Sequence, residues 1–354
     1  MKKNFWGTIK SPIVGLSPMD GVTDAACRYI AKKYGGPDVI YTEFVSAEGL
    51  WRIKKRGETD HKIWRDLRYS EEERPIVAQL FGSDPDSFYQ AAVIVAEMGF
   101  DGVDINMGCP SKGLEKREGG AGLMRNQSRA EEIIEATRRG VIDTGKLIPV
   151  SVKTRTGSAT PDPEWWDFLA SQRLPVVAMH GRTFRQLYSG DADWDVLERA
   201  AEVIRESGAL FLANGDVNKM KVLSKTEGEV SSSAISRDDM GGSDSKVVLS
   251  TGIERSINNF DGVLIGRAMV GDPWCLRKDG YETTIREKLE IAVEHAKQYE
   301  LSFPGEKLFP VRKHLVKYVT GFDGCVDLRK KLVMTESANE VEAVVDDFLH
   351  NKGH

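Results

Sequence analysis

The sequence VDINMGCPSKGLEKREGGAGLM at Val103–Met124 has the pattern of a buried strand that ends in a glycine-rich loop. The apolar run breaks at Gly108 and Pro110, which place Cys109 just past the end of the strand. A basic segment follows, and the glycines after it let a ligand approach the backbone closely. A thiol in this position is placed to do chemistry, although most cysteines are small, buried hydrophobic residues. The local pattern leaves both interpretations of Cys109 open.

Similar apolar runs recur along the chain, and helical patterns such as Trp194–Glu206 separate them. The eight runs are Ile13–Ser17, Val39–Thr42, Ile76–Leu80, Val103–Asn106, Ile148–Val152, Val176–Met179, Leu210–Ala213 and Val263–Ile265. Strands that alternate with helices pair in parallel, and eight such units form a (β/α)8 barrel, or TIM barrel. The alternative, a doubly wound sheet, usually has a GxGxxG turn after its first strand, and this sequence has none. The sequence therefore predicts an α/β fold with a TIM barrel.

Functional residues of such a barrel lie at the C-terminal ends of its strands. The residues at those ends are Pro18, Met19, Asp20, Glu43, Gln79, Asn106, Cys109, Lys153, Arg155, His180, Arg182, Asn214, Gly215, Asp216, Gly266 and Arg267. Each alone could be a cap or a turn. Their convergence on one rim predicts an active site there. The last two ends, with Gly215, Gly266 and Arg267, have the character of a phosphate site, which predicts a phosphorylated cofactor across the barrel mouth.

Two segments depart from the barrel pattern. Residues 221–255 are rich in Ser, Gly and Asp, which predicts a largely irregular surface insertion, either a tolerated loop or a regulatory or RNA-contacting segment. After Trp274 only helical patterns remain, which predicts a barrel domain at 1–274 and a helical domain at 275–354. Basic residues outnumber acidic ones between Glu306 and Lys331, and Tyr318 lies among them. This segment is either a solvated helix face or a phosphate-backbone track with an aromatic ring for stacking.

The composition of the 354-residue chain is that of an ordinary globular protein, with 40% hydrophobic and 29% charged residues. No apolar run is long enough for a membrane span, and the N-terminus lacks a signal-peptide pattern. The four cysteines form no CxxC pair, which argues against a zinc site and a disulfide framework. The formal net charge of −5 gives no global sign of nucleic-acid binding. We expect a monomeric, cytoplasmic protein without a metal ion or a membrane contact.

Nine motifs in order resemble those of the tRNA-dihydrouridine synthases, strongly over about Pro12–Trp274 and more weakly in the helical tail. They are SPMDGVTD (Ser17–Asp24), TEF (Thr42–Phe44), QLFGSDP (Gln79–Pro85), DINMGCPSK (Asp104–Lys112), GGAGLM, VKTRTG (Val152–Gly157), HGRTFRQLYSGDADW (His180–Trp194), ANGD (Ala213–Asp216) and DGVLIGRAMVGDPW (Asp261–Trp274). The resemblance implies an FMN enzyme that reduces the C5=C6 bond of selected tRNA uridines, with NADPH as reductant.

The resemblance also implies roles for the candidate residues. Those expected to bind FMN are Pro18, Met19, Asp20, Gln79, Lys153, His180, Asn214, Gly215, Asp216, Gly266 and Arg267. Asn106 is expected to touch the target uracil, and Cys109 to protonate C5 after hydride from FMN hydroquinone reaches C6. A thiol suits that step because its ordinary pKa of about 8.5 keeps it mostly protonated at pH 7. The residues expected to contact tRNA are Arg155, Arg182, Arg312, Lys313 and Lys317.

Three other functions fit parts of this pattern. A flavin-dependent reductase of free pyrimidines, of the dihydroorotate type, would use Cys109 but gives the basic tail no purpose. A lyase could form a Schiff base on Lys153, which would leave Cys109 idle. A catalytically inert RNA-binding protein would need neither Cys109 nor the phosphate site.

Overall fold

The computed structural model describes residues 4–110, 113, 118–222 and 245–352, so Lys112, Lys116 and Arg117 lie outside the described residues. Its strands are β1 Ile13–Leu16, β2 Val39–Ser46, β3 Ile76–Phe81, β4 Gly102–Met107, β5 Val150–Arg155, β6 Val176–His180, β7 Leu210–Asn214, β8 Val217–Val222, β9 Ser245–Leu249, β10 Glu254–Ser256 and β11 Gly262–Ile265. Eight of them close a parallel barrel in the order β1-β11-β7-β6-β5-β4-β3-β2, which confirms the predicted TIM barrel.

Helices connect the barrel strands and form the tail. They are α1 Ala25–Ile30, α2 Ala47–Lys55, α3 Lys62–Asp66, α4 Pro85–Glu97, α5 Gln127–Asp143, α6 Pro163–Ser171, α7 Trp194–Glu206, α8 Ile285–Ser302, α9 Arg312–Tyr318, α10 Cys325–Leu332 and α11 Ala338–Lys352. Several begin at an aspartate whose carboxylate accepts a backbone N–H of the first turn, as Asp84 does for α4 and Asp193 for α7. This capping explains where the helices start. Within the described residues, no helix combines the length and apolar character needed to cross a membrane.

The barrel interior is layered from apolar to polar. Side chains two residues apart on a strand share a face, so Val77 and Gln79 of β3 both point inward. The lower layer is apolar and closed below by Trp6; it comprises Ile13, Val39, Tyr41, Val77, Val176, Ala178, Leu212 and Leu264. The inward residues one step further along the strands are polar. The floor of the barrel is therefore a packed core and its mouth a polar site.

The prediction that residues 221–255 form a largely irregular surface insertion is wrong in part. β8, β9 and β10 form a small antiparallel sheet, so both ends of this segment are ordered strands rather than irregular chain. Burial alternates along β9, and Met220 and Val247 are fully buried, which gives the sheet an apolar face on the barrel core. The strand pattern was hidden by the polar composition of the segment between these ends. Residues 223–244 lie outside the described residues.

The tail helices form a hydrophobic cluster of their own, which includes Leu315, Leu332 and Val341. This cluster also takes in Ala26 and Ile30 of α1, a barrel helix, and Trp274. Just after α1 in the chain, the Lys33 ammonium and the Tyr34 hydroxyl donate hydrogen bonds to the Glu294 carboxylate of α8, the first at 2.6 Å. The tail therefore packs on α1, next to the β1–α1 loop. The boundary between residues 274 and 275 stays a prediction.

Candidate active site

A cavity of about 720 Å³ opens at the C-terminal mouth of the barrel. Every barrel residue predicted to bind cofactor or substrate lines it: Pro18, Met19, Asp20, Gln79, Asn106, Cys109, Lys153, Arg155, His180, Arg182, Asn214, Gly215, Asp216, Gly266 and Arg267. Several of them, such as Gln79 and Lys153, lie within the strands rather than past the strand ends. Their side chains enter the cavity because they continue the inward face of the barrel. Glu43 does not line the cavity.

A chain of hydrogen bonds runs from the barrel interior to the Cys109 loop. The Asp104 carboxylate accepts the Ser151 hydroxyl at 2.6 Å and the Gln79 amide NH2 at 2.7 Å. The Gln79 oxygen accepts the Asn106 NH2 at 2.9 Å. The Asn106 oxygen in turn accepts the backbone N–H groups of Gly108 at 3.0 Å and Cys109 at 2.8 Å. The half-buried Cys109 thiol is thus carried on a loop that is fixed from below.

Arg155 holds the same loop from the side. Its guanidinium donates to the carbonyl oxygens of Gly108 at 2.9 Å and Leu187 at 2.9 Å, and Arg155 is only 3% exposed. Burial lowers the pKa of Arg155 below its ordinary value. This arginine therefore faces the cavity and the Cys109 loop rather than the outer surface.

Lys153 places a buried ammonium group in the cavity. Its Nζ donates to the Asn214 side-chain oxygen at 3.2 Å, while the Asn214 NH2 donates to the Leu264 carbonyl at 2.7 Å. Burial and the nearby charge of Arg155 lower the pKa of Lys153 to about 8, against the opposing effect of Asp104. Lys153 is consequently still mostly protonated at pH 7.

Asp216 forms ion pairs with two arginines at the far end of the cavity. Its carboxylate accepts both terminal nitrogens of Arg182, at 2.6 and 3.0 Å, and one nitrogen of Arg267 at 2.9 Å. Although burial raises the pKa of Asp216, the hydrogen bonds from Arg182 and Ala192 bring it below its usual range. The carboxylate therefore orients the two guanidinium groups. The side chain of Arg182 is only 3% exposed, whereas that of Arg267 is 62% exposed.

His180 and Gly215 complete this end of the site. Burial and the surrounding cations, Lys153 first among them, hold the pKa of His180 well below its ordinary value, so the ring is neutral. Gly215 has φ +128°, and a Cβ there would lie 2.7 Å from Cβ of Ala192 and 2.9 Å from Cδ2 of His180. A glycine is required because the backbone passes too close to these side chains for any other residue.

Tyr188 is a cavity residue that we did not predict as part of the site. It is 59% exposed, and its ring lies 5.7 Å from the Arg155 guanidinium carbon and 5.2 Å from that of Arg267. The residue stands in the motif HGRTFRQLYSGDADW, but it follows the end of β6 by several positions. Position relative to the strand could not reveal it, because the loop folds back over the cavity.

The basic tail residues lie outside the cavity. Nζ of Lys313 comes close to the Gly21 backbone, since a Cβ on Gly21 would lie 3.7 Å from it. Lys317 is exposed, and Arg312 donates two hydrogen bonds to the Thr335 carbonyl. Tyr318 cannot stack on a base as expected, because it is buried and its hydroxyl contacts His295.

These features define a TIM-barrel protein with a cationic cavity at its mouth and a thiol on one wall. The model of the dihydrouridine synthase (Dus) family matches residues 15–234 and 251–352. The chain belongs to this family, whose members are oxidoreductases.

Named relatives cover almost the whole chain. A "Probable tRNA-dihydrouridine synthase" of Staphylococcus aureus strain MRSA252 is 32% identical over 98% of this chain and 96% of its own length. A "Probable tRNA-dihydrouridine synthase 2" of Bacillus subtilis strain 168 is 29% identical over 98% of this chain and 97% of its own length. Among solved structures, morphinone reductase covers 77% of this chain and 86% of its own, with a TM-score of 0.41 and 13% identity.

The chemistry of the cavity fits an FMN. Four basic side chains line it, Lys153, Arg155, Arg182 and Arg267, against the two carboxylates of Asp20 and Asp216. The exposed Arg267 guanidinium lies beside the Gly215 turn, where backbone and cation could hold a phosphate. The volume is in the range of cofactor pockets. No group of three or more His, Cys, Asp or Glu side chains suited to a metal ion occurs within the described residues.

Proposed function

We propose that this protein reduces the C5=C6 bond of specific uridines in tRNA to give dihydrouridine. When bound, FMN reduced by NADPH supplies the hydride that C6 receives. The observation that carries the proposal is a half-buried thiol on a fixed loop, facing a cationic cavity in a chain of the dihydrouridine synthase family. We expect the protein to act as a monomer in the cytoplasm.

Cys109 is the proposed proton donor to C5. Hydride addition at C6 leaves an electron pair at C5, delocalised toward O4, and the S–H bond of Cys109 breaks as the C5–H bond forms. The thiolate then regains a proton from solvent before the next turnover. Arg155 and the backbone of the loop hold the sulfur in place, so that proton transfer requires no rearrangement.

Other cavity residues bind and orient the two reactants. Lys153, which is mostly protonated at pH 7, supplies positive charge next to the electron-rich edge of the isoalloxazine. Arg267, and Arg182 through Asp216, form the cationic end suited to the ribityl phosphate. Asn106 is the proposed contact to the uracil, and Tyr188 offers an exposed ring at the mouth.

The tail is proposed to bind the tRNA while the target base leaves its stack. A uracil within folded RNA must be unstacked to enter a barrel mouth, so the RNA has to be gripped nearby. Lys313 lies beside the β1–α1 loop, whose Asp20 lines the cavity. Lys313 therefore lies on one side of the entrance, and the same helix α9 carries Arg312 and Lys317, which are proposed to contact phosphates with it.

The test is an anaerobic half-reaction. The flavin of the purified protein is reduced with NADPH, tRNA lacking dihydrouridine is added, and reoxidation is followed by flavin absorbance. Reoxidation by tRNA but not by free uracil or orotate is expected. Reoxidation by the free pyrimidine instead would favour a reductase of small molecules, and a protein purified without flavin would overturn the cofactor assignment.

Cys109→Ala isolates the proton donor. We expect this variant to bind FMN and to be reduced by NADPH at the normal rate, but its tRNA-driven reoxidation should fall by about 100-fold or more, the usual contribution of a general acid. Cys325→Ala, at the other half-buried thiol, is the matched control and should behave like the unmodified protein. Full turnover by Cys109→Ala would remove Cys109 from the mechanism.

A further inference from the structure

Asp104 is a fully buried carboxylate one layer below the cavity floor. It forms no ion pair within the described residues, and its two oxygens accept from Ser151 and Gln79. A buried carboxylate without a cation partner is costly. The proposed chemistry does not use it, because Asp104 does not line the cavity.

The hydrogen bonds above Asp104 have only one consistent direction. An ionised carboxylate can only accept, so Gln79 must turn its NH2 toward Asp104 and its oxygen toward Asn106. Asn106 must then present its own NH2 to Gln79, which leaves its oxygen facing the N–H groups of Gly108 and Cys109. The two backbone N–H groups are fixed donors at the upper end of this chain, and the carboxylate is a fixed acceptor at its lower end, so both ends impose the same direction on the two amides.

We propose that Asp104 is a positioning residue which, through the side-chain amides of Gln79 and Asn106, fixes the loop that carries Cys109. This inference rests on the proposed function, in which Cys109 protonates the uracil. In this relay Asp104 accepts from Gln79, Gln79 accepts from Asn106, and Asn106 accepts from the two backbone N–H groups of the loop. Asp104 touches neither the substrate nor the cofactor.

Asp104→Leu would remove the acceptor at the lower end of the relay while nearly preserving the side-chain volume. The Gln79 NH2 would then be buried without a partner, so Gln79 and, through it, Asn106 would be held less firmly. Asp104→Asn is the conservative variant. Its side-chain oxygen can still accept from Gln79 while its NH2 donates to the Ser151 hydroxyl oxygen, so it should preserve the relay.

The experiment measures amide hydrogen exchange of Gly108 and Cys109 and the alkylation rate of Cys109, both in the flavin-loaded protein without turnover. Asp104→Leu should accelerate both by about tenfold, roughly the effect of one lost hydrogen bond, whereas Asp104→Asn should leave both near the original rates. Cys325 serves as the internal standard for alkylation.

Ser151→Ala is the matched control. It removes the other hydrogen bond to Asp104 but leaves the direction of the relay intact, so the loop should exchange at the original rate. The proposal is overturned if Asp104→Leu leaves exchange and alkylation unchanged, or if Asp104→Asn or Ser151→Ala accelerates them equally. Full turnover by Cys109→Ala would overturn the proposed function without changing these exchange results, so the two failures can be told apart.

Discussion

The environment of Glu43 disfavours the ionised form of its side chain. It is 4% exposed, and its Oε1 has no hydrogen-bond partner within the described residues. Burial, together with the charges of Asp66 and Asp24, raises its pKa from 4.5 to about 7, although Lys62 acts in the opposite direction. The folded protein therefore binds this proton more tightly than the unfolded chain does. The contribution of Glu43 to stability therefore falls as the pH rises from about 4.5 through 7.

Glu43→Gln should remove this cost. At pH 8 we expect the free energy of unfolding to rise by up to about 3 kcal/mol, the equivalent of the shift in pKa, with little difference from the unmodified protein near pH 4.5. Urea unfolding at several pH values measures it. Glu72→Gln, at an exposed glutamate, is the control and should change stability little at any pH. A loss of stability at pH 8 in Glu43→Gln would show that the ionised form is the favoured one.

The site residues that lie at the ends of strands could be predicted from the sequence. Gln79, Asn106 and Lys153 could be placed at the cavity because they lie at the ends of apolar runs in a barrel pattern. Tyr188 depends on the path of a loop, and the role of Asp104 depends on hydrogen bonds between three strands. Neither contact is periodic along the chain, so no pattern within the sequence could indicate it.

At the scale of elements, the eight predicted strands lie in the right places, but six of them end too early. The fifth run was predicted at Ile148–Val152, whereas β5 extends over Val150–Arg155. The apolar run stops where the inward face becomes polar, but the backbone ladder with β4 and β6 continues. The strands β8 to β10 were missed for another reason. They have few apolar residues, none of them in β10, and the surrounding sequence is polar.

The basic face of α9 gives a prediction at this scale. Lys313→Ala combined with Lys317→Ala should weaken tRNA binding and reduce the slope of log affinity against log salt by up to about 2, since two phosphate contacts are lost. The matched control is the double variant Arg139→Ala and Lys146→Ala. These exposed residues lie in the last turns of α5 and just after its C-terminal end. Binding isotherms at several salt concentrations measure both. Equal slopes for the two double variants would identify the α9 face as merely solvated.

At the scale of the whole molecule, barrel and tail share one helix. Cys27 and Ala31 of the α1 region pack in the barrel cluster, whereas Ala26 and Ile30 pack in the tail cluster. A tail joined in this way should unfold together with the barrel rather than before it. The wall of the cavity that carries Met19 and Asp20 also leads directly into this helix.

Ile30→Ala tests this coupling. Removing a fully buried isoleucine should cost about 2–5 kcal/mol, and the protein should still unfold in one transition at a lower temperature. Val345→Ala, at a buried position of α11 instead of the shared helix, is the comparison and should cost less because fewer methyl groups are lost. Calorimetry measures both. Two separated transitions in Ile30→Ala would show that barrel and tail are independent units.

The layered barrel interior makes the site sensitive to insertions and deletions rather than only to substitutions. Because inward side chains alternate, deletion of one residue from β3 below Gln79 would shift the strand and turn an apolar neighbour, Ala78 or Leu80, toward the cavity. The relay from Asp104 would then have no amide to pass through. The number of residues in each strand, counted from the apolar floor, therefore specifies which side chain reaches the mouth.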